Sequence, residues 1–235
     1  MPIQTIESRR LYRQIADQLS RLIDKGEFRV GARLPSERDL SEQLGVSRPS
    51  VREALIALEV EGLVEVRGGA GVFVCARKPV NASHRAEVSQ PGPFDLIRAR
   101  WIIESEAAAL AATHATPEHL QRLKSALHDM QRHATHAPEA VAADERFHLC
   151  LAEASGNSAL LMVVQQLWEA RTGPLYTQME SHFSGEAVWK QAVEEHGELL
   201  QAVAGRDPRA AREAMRKHMK NAEVRFASGW KPGEH

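Results

Sequence analysis

Apolar residues recur along this chain mostly with the spacing of helices. Leu11, Ile15, Leu19, Leu22 and Ile23 share one face of a first helix, and the glycines at 26 and 31 stop the run. Ser36 leads a short second helix over Glu37–Leu44, which Gly45 closes, and Ser47 caps a third with an apolar face of Val51, Leu55, Leu58 and Val60. The period then drops to two. Residues 63–67 and 72–74 alternate on either side of Gly68-Gly69-Ala70-Gly71, which reads as a β-hairpin with a glycine-rich tip. Three close-set helices and a hairpin predict a winged helix-turn-helix. Beyond residue 93 the period is helical again, over 94–113, 117–134, 138–155, 158–179, 184–204 and 207–227. Six helices on short loops predict an antiparallel bundle. Pro117, Pro138 and Pro208 stand at helix starts, where a missing N–H costs nothing. The fold class is therefore mostly α, an N-terminal winged helix-turn-helix followed by an all-α bundle.

Residues 76–93 read ARKPVNASHRAEVSQPGP, with three prolines and little periodicity, and behave as a linker. The expected organisation is a first domain over 1–76, a linker over 77–93 and a second domain over 94–230. Thirty-four alanines against twelve aromatics agree with a helical chain. Cys75 and Cys150 are far apart and form no CxxC, so neither a disulfide framework nor a zinc-thiolate site is encoded, and a cytoplasmic location is expected. No apolar run approaches the ~18 residues of a membrane span, and the first residues lack the profile of a signal peptide. Thirty basic and 31 acidic residues cancel, but up to Lys78 there are 13 basic against 11 acidic, and 11 of those 13 are arginines. The first part is the one suited to an anion.

The third helix opens on Ser47-Arg48-Pro49-Ser50-Val51-Arg52, which sets Arg48 and Arg52 one turn apart at the end a recognition helix offers to base edges. Arginine reads guanine with two hydrogen bonds, each good pair giving ~1–3 kcal/mol of discrimination. Ser47, Ser50 and Arg38 are placed to hold phosphates, and Gly69 at the hairpin tip lets backbone approach the duplex. Taken singly, these arginines are no more than solvated charges; their order along the elements points to double-stranded DNA. A single recognition helix reads only a few base pairs, so a homodimer on a pseudo-palindromic operator is expected.

In the bundle, Asp144 and His148 lie four apart, about 400° around a helix, and project from one face. His196 and His218 each lie 11 residues from Asp207, so an antiparallel hairpin turning there brings them level. Three imidazoles and a carboxylate suit a divalent transition metal, with a further ligand completing the shell. Arg100 is placed to pair with Glu104, four residues on, and Asn221, one turn after His218, is more often simply exposed on a helix. Asn157 reads as a helix cap.

These residues also carry a resemblance. Gly31-Ala32-Arg33-Leu34-Pro35-Ser36-Glu37-Arg38-Asp39-Leu40, then Leu44-Gly45-Val46-Ser47-Arg48, Val51-Arg52-Glu53-Ala54-Leu55 and Gly62-Leu63-Val64 resemble the DNA-binding domain of the GntR family of bacterial transcription regulators. The resemblance implies DNA contacts at Arg38, Ser47, Arg48, Arg52 and Gly69. Phe94-Asp95-Leu96-Ile97-Arg98-Ala99-Arg100, Glu104, Asp144 to His148, Ala152-Glu153-Ala154-Ser155-Gly156-Asn157, and the late His196 and His218 resemble the FCD ligand-binding domain of the FadR subfamily. It implies that Asp144, His148, His196 and His218 hold a divalent metal, zinc foremost, with nickel or manganese as other members' choices, and that the domain senses a small carboxylic acid. The stretches at 64–71, 92–96 and 167–171 are similar to the hexuronate regulators of that subfamily, which implies a repressor and a sugar-acid effector whose polar groups need partners, with Arg100, Arg171 and Asn221 as the candidates. Two other readings use the same residues: a constitutive DNA-binding protein whose metal only staples the bundle, and a metal-dependent enzyme, for which no base, nucleophile or second metal is evident.

Overall fold

In the computed structural model, which describes residues 10–76, 91–132, 138–183 and 185–228, α1 spans Leu11–Asp24, α2 Glu37–Leu44 and α3 Arg48–Val60. The core face of α1 is Tyr12, Ile15, Ala16 and Leu19, and Leu11, expected on it, is exposed. Ser36 caps α2 in a reciprocal box: its hydroxyl accepts from the Asp39 N–H, and the Asp39 carboxylate accepts from the Ser36 N–H. Gly45 ends α2 at φ 64°, a conformation a side chain would strain. Ser47 then caps α3 by accepting from the Ser50 N–H at 3.3 Å, with Pro49 in the first turn. α3 is almost wholly buried from Val51 to Leu58, so it is the spine of this unit. β1 (Val64–Arg67) and β2 (Gly71–Val74) pair antiparallel, Val64 opposite Val74 and Arg67 opposite Gly71, and Arg33 bridges Phe73. Of the linker expected over 77–93, residues 77–90 lie outside the described residues.

The other compact unit is Pro93–Phe226. It holds α4 (Pro93–His114), α5 (Pro117–Arg132), α6 (Pro138–Ala154), α7 (Ser158–Glu169), a 3-10 turn (Ala170–Thr172), α8 (Pro174–Phe183), α9 (Glu186–Ala204) and α10 (Pro208–Ala227), whose last residue lies just beyond the unit. The six helices expected here are therefore seven among the described residues. The segment read as one helix over 158–179 breaks because Pro174 has no N–H to donate and its ring crowds the preceding turn. Thr172 Oγ1 bonds the Glu169 carbonyl at 2.7 Å across the break, and α8 restarts on Pro174. α6 is central, packing on α4, α5 and α7. Ala108, Ala111, Ala112, Ala140, Ala143 and Ala211 are fully buried, and such small side chains let helix backbones approach closely while Phe147, Met130, Leu151 and Met215 fill the remaining space. Much of the alanine content thus serves packing as well as helix formation. Asn157 caps α7, its Oδ1 accepting from the N–H groups of Ala159 and Leu160.

Candidate metal centre and nucleic-acid interface

In the first unit, the turn between α2 and α3 and the hairpin tip expose a polar surface. Arg38 has a side chain 75% exposed and Arg48 one 55% exposed, Ser47 lies exposed at the α3 N-terminus, Ser50 lies 2.9 Å from it hydroxyl to hydroxyl, and Gly69 is exposed at φ 69°. Arg52 stands elsewhere. Its side chain is 1% exposed and grips Glu37 with two hydrogen bonds, Nε to Oε1 at 2.6 Å and Nη2 to Oε2 at 2.5 Å. Its reading as a base contact is corrected on that ground: a guanidinium held between α2 and α3 fixes the angle of the two helices and does not face solvent. Arg48 lies over the same carboxylate at 3.5 Å, and so is the arginine of the pair with a side chain free to reach outward.

In the second unit the four predicted ligands converge. α6 contributes Asp144 and His148, α9 His196 and α10 His218, and the ligating nitrogens of the three imidazoles lie within 4.8 Å of one another, all buried. His148 Nε2 and His196 Nε2 are 3.0 Å apart, and Asp144 Oδ1 is 3.0 Å from the latter and 3.5 Å from the former. Each Nδ1 is engaged on the far side. His148 Nδ1 bonds Glu104 on α4, His218 Nδ1 donates to Glu195 Oε2 at 2.7 Å, and His196 Nδ1 donates to the Ala192 carbonyl at 2.7 Å. With protons on the Nδ1 side, the Nε2 lone pairs face one another, and Asp144 Oδ1 is buried without a hydrogen-bond donor. Four acceptors pointed at one spot repel unless a proton or a cation sits among them. Ligands about 2.0–2.1 Å from a tetrahedral ion would be spaced by roughly 3.3 Å, so the observed spacings fit a first-row divalent cation. Outer carboxylates on ligating histidines are the arrangement that fixes tautomer and raises ligand basicity.

The electrostatics agree. Burial pushes the Asp144 carboxyl up, but His148 and His196 at its oxygen outweigh this and hold it well below its ordinary value. Burial likewise opposes charge on Glu104, and Arg100 and His148 beside it keep the carboxyl low. His148 is held above the usual 6.5, its burial overcome by Glu104 and Asp144, whereas burial and the two neighbouring imidazoles push His218 well below 6.5. The cluster draws positive charge to its centre but cannot protonate every ring.

A cavity of about 80 Å³ opens beside the cluster, with Asp144, His218, Arg100, Arg171, Tyr176 and Glu180 on its polar side and Phe183, Trp189, Met219 and Phe226 on its apolar side. Arg171, carried on the 3-10 turn, donates to Asp144 Oδ2 at 3.3 Å and Glu180 Oε1 at 2.9 Å. Arg100 donates to Glu104 at 2.6 Å, the pairing its spacing allowed, and its guanidinium and that of Arg171 lie over the ring of Trp168 at 4.3 and 4.1 Å. Asn221 is corrected from effector contact to support: its amide donates to Glu195 Oε1 at 2.7 Å, which places it behind His218. Glu195 was missed by sequence reasoning. Shifting the centre of that counting by one residue, to position 208, levels Glu195 with Asn221 at 13 residues each, and was the signal available.

Comparison with known proteins matches a family model to each of the two units. The family described as "Bacterial regulatory proteins, gntR family" matches residues 11–74, and the FCD domain matches residues 95–221. The chain is 37% identical over 225 residues to the Uxu operon transcriptional regulator of Escherichia coli K12, covering 93% of this chain and 88% of that one. It is 36% identical over 228 residues to the Exu regulon transcriptional regulator of the same strain, covering 94% and 86%. Among solved structures, E. coli McbR/YncC superposes with a TM-score of 0.50 at 26% identity, covering 93% of this chain and 97% of that one. No helix among the described residues is long and apolar enough to cross a membrane. A winged helix-turn-helix, an FCD bundle following it in the chain and regulators as relatives along nearly the whole length lead to one assignment: the chain belongs to the GntR family and is a DNA-binding transcription regulator, not an enzyme.

Proposed function

We propose that this regulator is a cytoplasmic homodimeric repressor of sugar-acid catabolic genes that leaves a pseudo-palindromic operator when a hexuronate or related sugar acid occupies the bundle cavity. The observation that carries the proposal is the buried Asp144 Oδ1 without a donor, set among three Nε2 atoms on the wall of a cavity lined by arginines. The similarity to the Uxu and Exu regulators supports the sugar-acid class. Asp144, His148, His196 and His218 would hold a divalent transition metal, which when bound supplies a Lewis-acidic positive centre for the effector's carboxylate. Arg171 donates charge-assisted hydrogen bonds across the cavity, and Trp168 keeps the Arg100 and Arg171 planes in place beneath it. On DNA, Arg48 reads base edges while Arg38, Ser47, Ser50 and the Gly69 backbone hold phosphates.

Coupling follows from chain connectivity. α4 carries Glu104, which orients His148, and is also the first helix after the linker, so displacement at the site is felt where the chain leaves for the DNA-binding unit. A difference of ~1–3 kcal/mol between two arrangements changes operator affinity 5- to 150-fold, and operator must change effector affinity by the same factor. Thermal shift across hexuronates and aldonates, with and without chelator, tests the site: an acid at 100 times its Kd stabilises by ~2.7 kcal/mol, and chelator should abolish the effect. Titration of the binding acid into the protein–operator complex tests the function. A tightly bound acid that leaves operator affinity unaltered leaves only the reading of a constitutive DNA-binding protein with a stapled bundle.

A further inference from the structure

The charges around the cavity select among sugar acids. Arg100, Arg171 and Arg225 line it with Asp144 and Glu180, and Glu104 and Glu195 stand directly behind His148 and His218. Three guanidinium groups against four carboxylates leave one net negative charge, and a divalent cation among the neutral imidazoles turns this into one net positive charge. A single carboxylate on the effector brings the site to neutrality. A second would be an anion that no remaining charge in the site compensates.

Of the four carboxylates, three serve the histidines: Asp144 as a fourth donor, Glu104 and Glu195 as Nδ1 partners. Glu180 pairs with Arg171 instead. It sits on α8 on one face with Tyr176 and Phe183, at four- and three-residue spacing, and the three side chains form one wall of the cavity. Arg171 bridges it to Asp144, so Glu180 lies one guanidinium beyond the metal cluster, on the wall of the same cavity that an acid anchored at the cluster would occupy. There an acceptor-only carboxylate welcomes hydroxyl hydrogens and repels a carboxylate.

We infer that Glu180 is the residue that restricts this cavity to polyhydroxy acids with one carboxylate, shutting out the sugar diacids that carry the same hydroxyls between two carboxylates. The inference rests on the sugar-acid reading above. It is tested by calorimetric titration of the metal-loaded full chain with galacturonate against galactarate, and glucuronate against glucarate, since each pair shares its hydroxyl stereochemistry. The monoacid that binds should exceed its diacid by on the order of a hundredfold. Glu180→Gln keeps an oxygen for Arg171 and should close that gap at least ~10-fold, mainly by tightening the diacid, with metal content by elemental analysis unchanged, whereas Glu180→Asp keeps the gap. Wild-type protein that binds a diacid within about threefold of its monoacid overturns the inference whether or not any variant folds. So does a folded, metal-loaded Glu180→Gln protein with the wild-type ratio, and in both cases the sugar-acid reading stands. Failure of every monoacid and diacid to bind overturns that reading and this inference together.

Discussion

Replacing Arg52 by alanine should damage the DNA-binding unit as a folded object before it damages recognition. The side chain is 1% exposed and its two hydrogen bonds end on Glu37, itself 7% exposed, so the substitution strands a buried carboxylate between α2 and α3. Breaking a buried pair from one side costs ~3–5 kcal/mol, and Arg48 at 3.5 Å can recover part of the loss, which sets the expectation near 3 kcal/mol. A unit of this size has only roughly 3–10 kcal/mol of stability in total, at about 0.05–0.15 kcal/mol per residue. At roughly 4–8 °C per kcal/mol, its unfolding midpoint should drop by roughly 12–24 °C. Calorimetry of the full chain, in which the bundle transition serves as internal reference, measures this directly. The double replacement Glu37→Leu with Arg52→Met should recover most of the loss, because an apolar pair of similar volume removes the stranded charge. Arg48→Ala should behave oppositely. Its exposed ion pair contributes at most about 1 kcal/mol to folding, while ~1–3 kcal/mol is lost on operator and less on random DNA. An Arg52→Ala protein that melts with the wild type yet loses operator binding selectively would show that Arg52 turns outward to read bases, and would refute the burial argument.

Two further outcomes follow. Glu195→Gln should lower metal affinity about 10- to 100-fold by weakening the hold on His218 Nδ1, and affinity in the wild type should fall as pH drops, beginning above 6.5 because Glu104 and Asp144 keep a proton on His148 there; competition titration with a chromogenic chelator over pH reads both, and a pH-independent affinity contradicts imidazole ligation. Gly71→Ala should destabilise the hairpin, since the residue sits at φ +112° and an added Cβ would lie 2.5 Å from Arg33 Nε, so amide exchange of β1 and β2 should quicken while the bundle is untouched.

What the sequence made legible was local chemistry and periodic spacing. Ser36, Gly45 and Ser47 announce α2 and α3 through caps that depend on neighbours within a turn. The convergence of Asp144, His148, His196 and His218 was legible because a helical hairpin converts sequence distance from its turn into height, which levels His196 with His218. Arg52 was misread because its partner, Glu37, is 15 residues away on another helix, and an i,i+4 spacing from Arg48 says nothing about which of the two arginines a neighbouring helix covers. The break before α8 was missed although Gly173-Pro174 spells it out, because the apolar period runs through it undisturbed. That break is what carries Arg171 to the cavity on a 3-10 turn.

The burial of the quartet also bears on how such a site changes over generations. Asp144, His148, His196 and His218 each sit in low dielectric, committed on one side to a neighbour and on the other to a shared centre. A lineage that loses one of the four keeps three buried groups aimed at a weakened centre, along with outer carboxylates whose imidazole partners are less firmly held. Selection therefore sees a valley on both sides of the complete set. Among descendants of this chain the four should persist together or vanish together, with Glu104 and Glu195 following them into apolar residues once the histidines are gone.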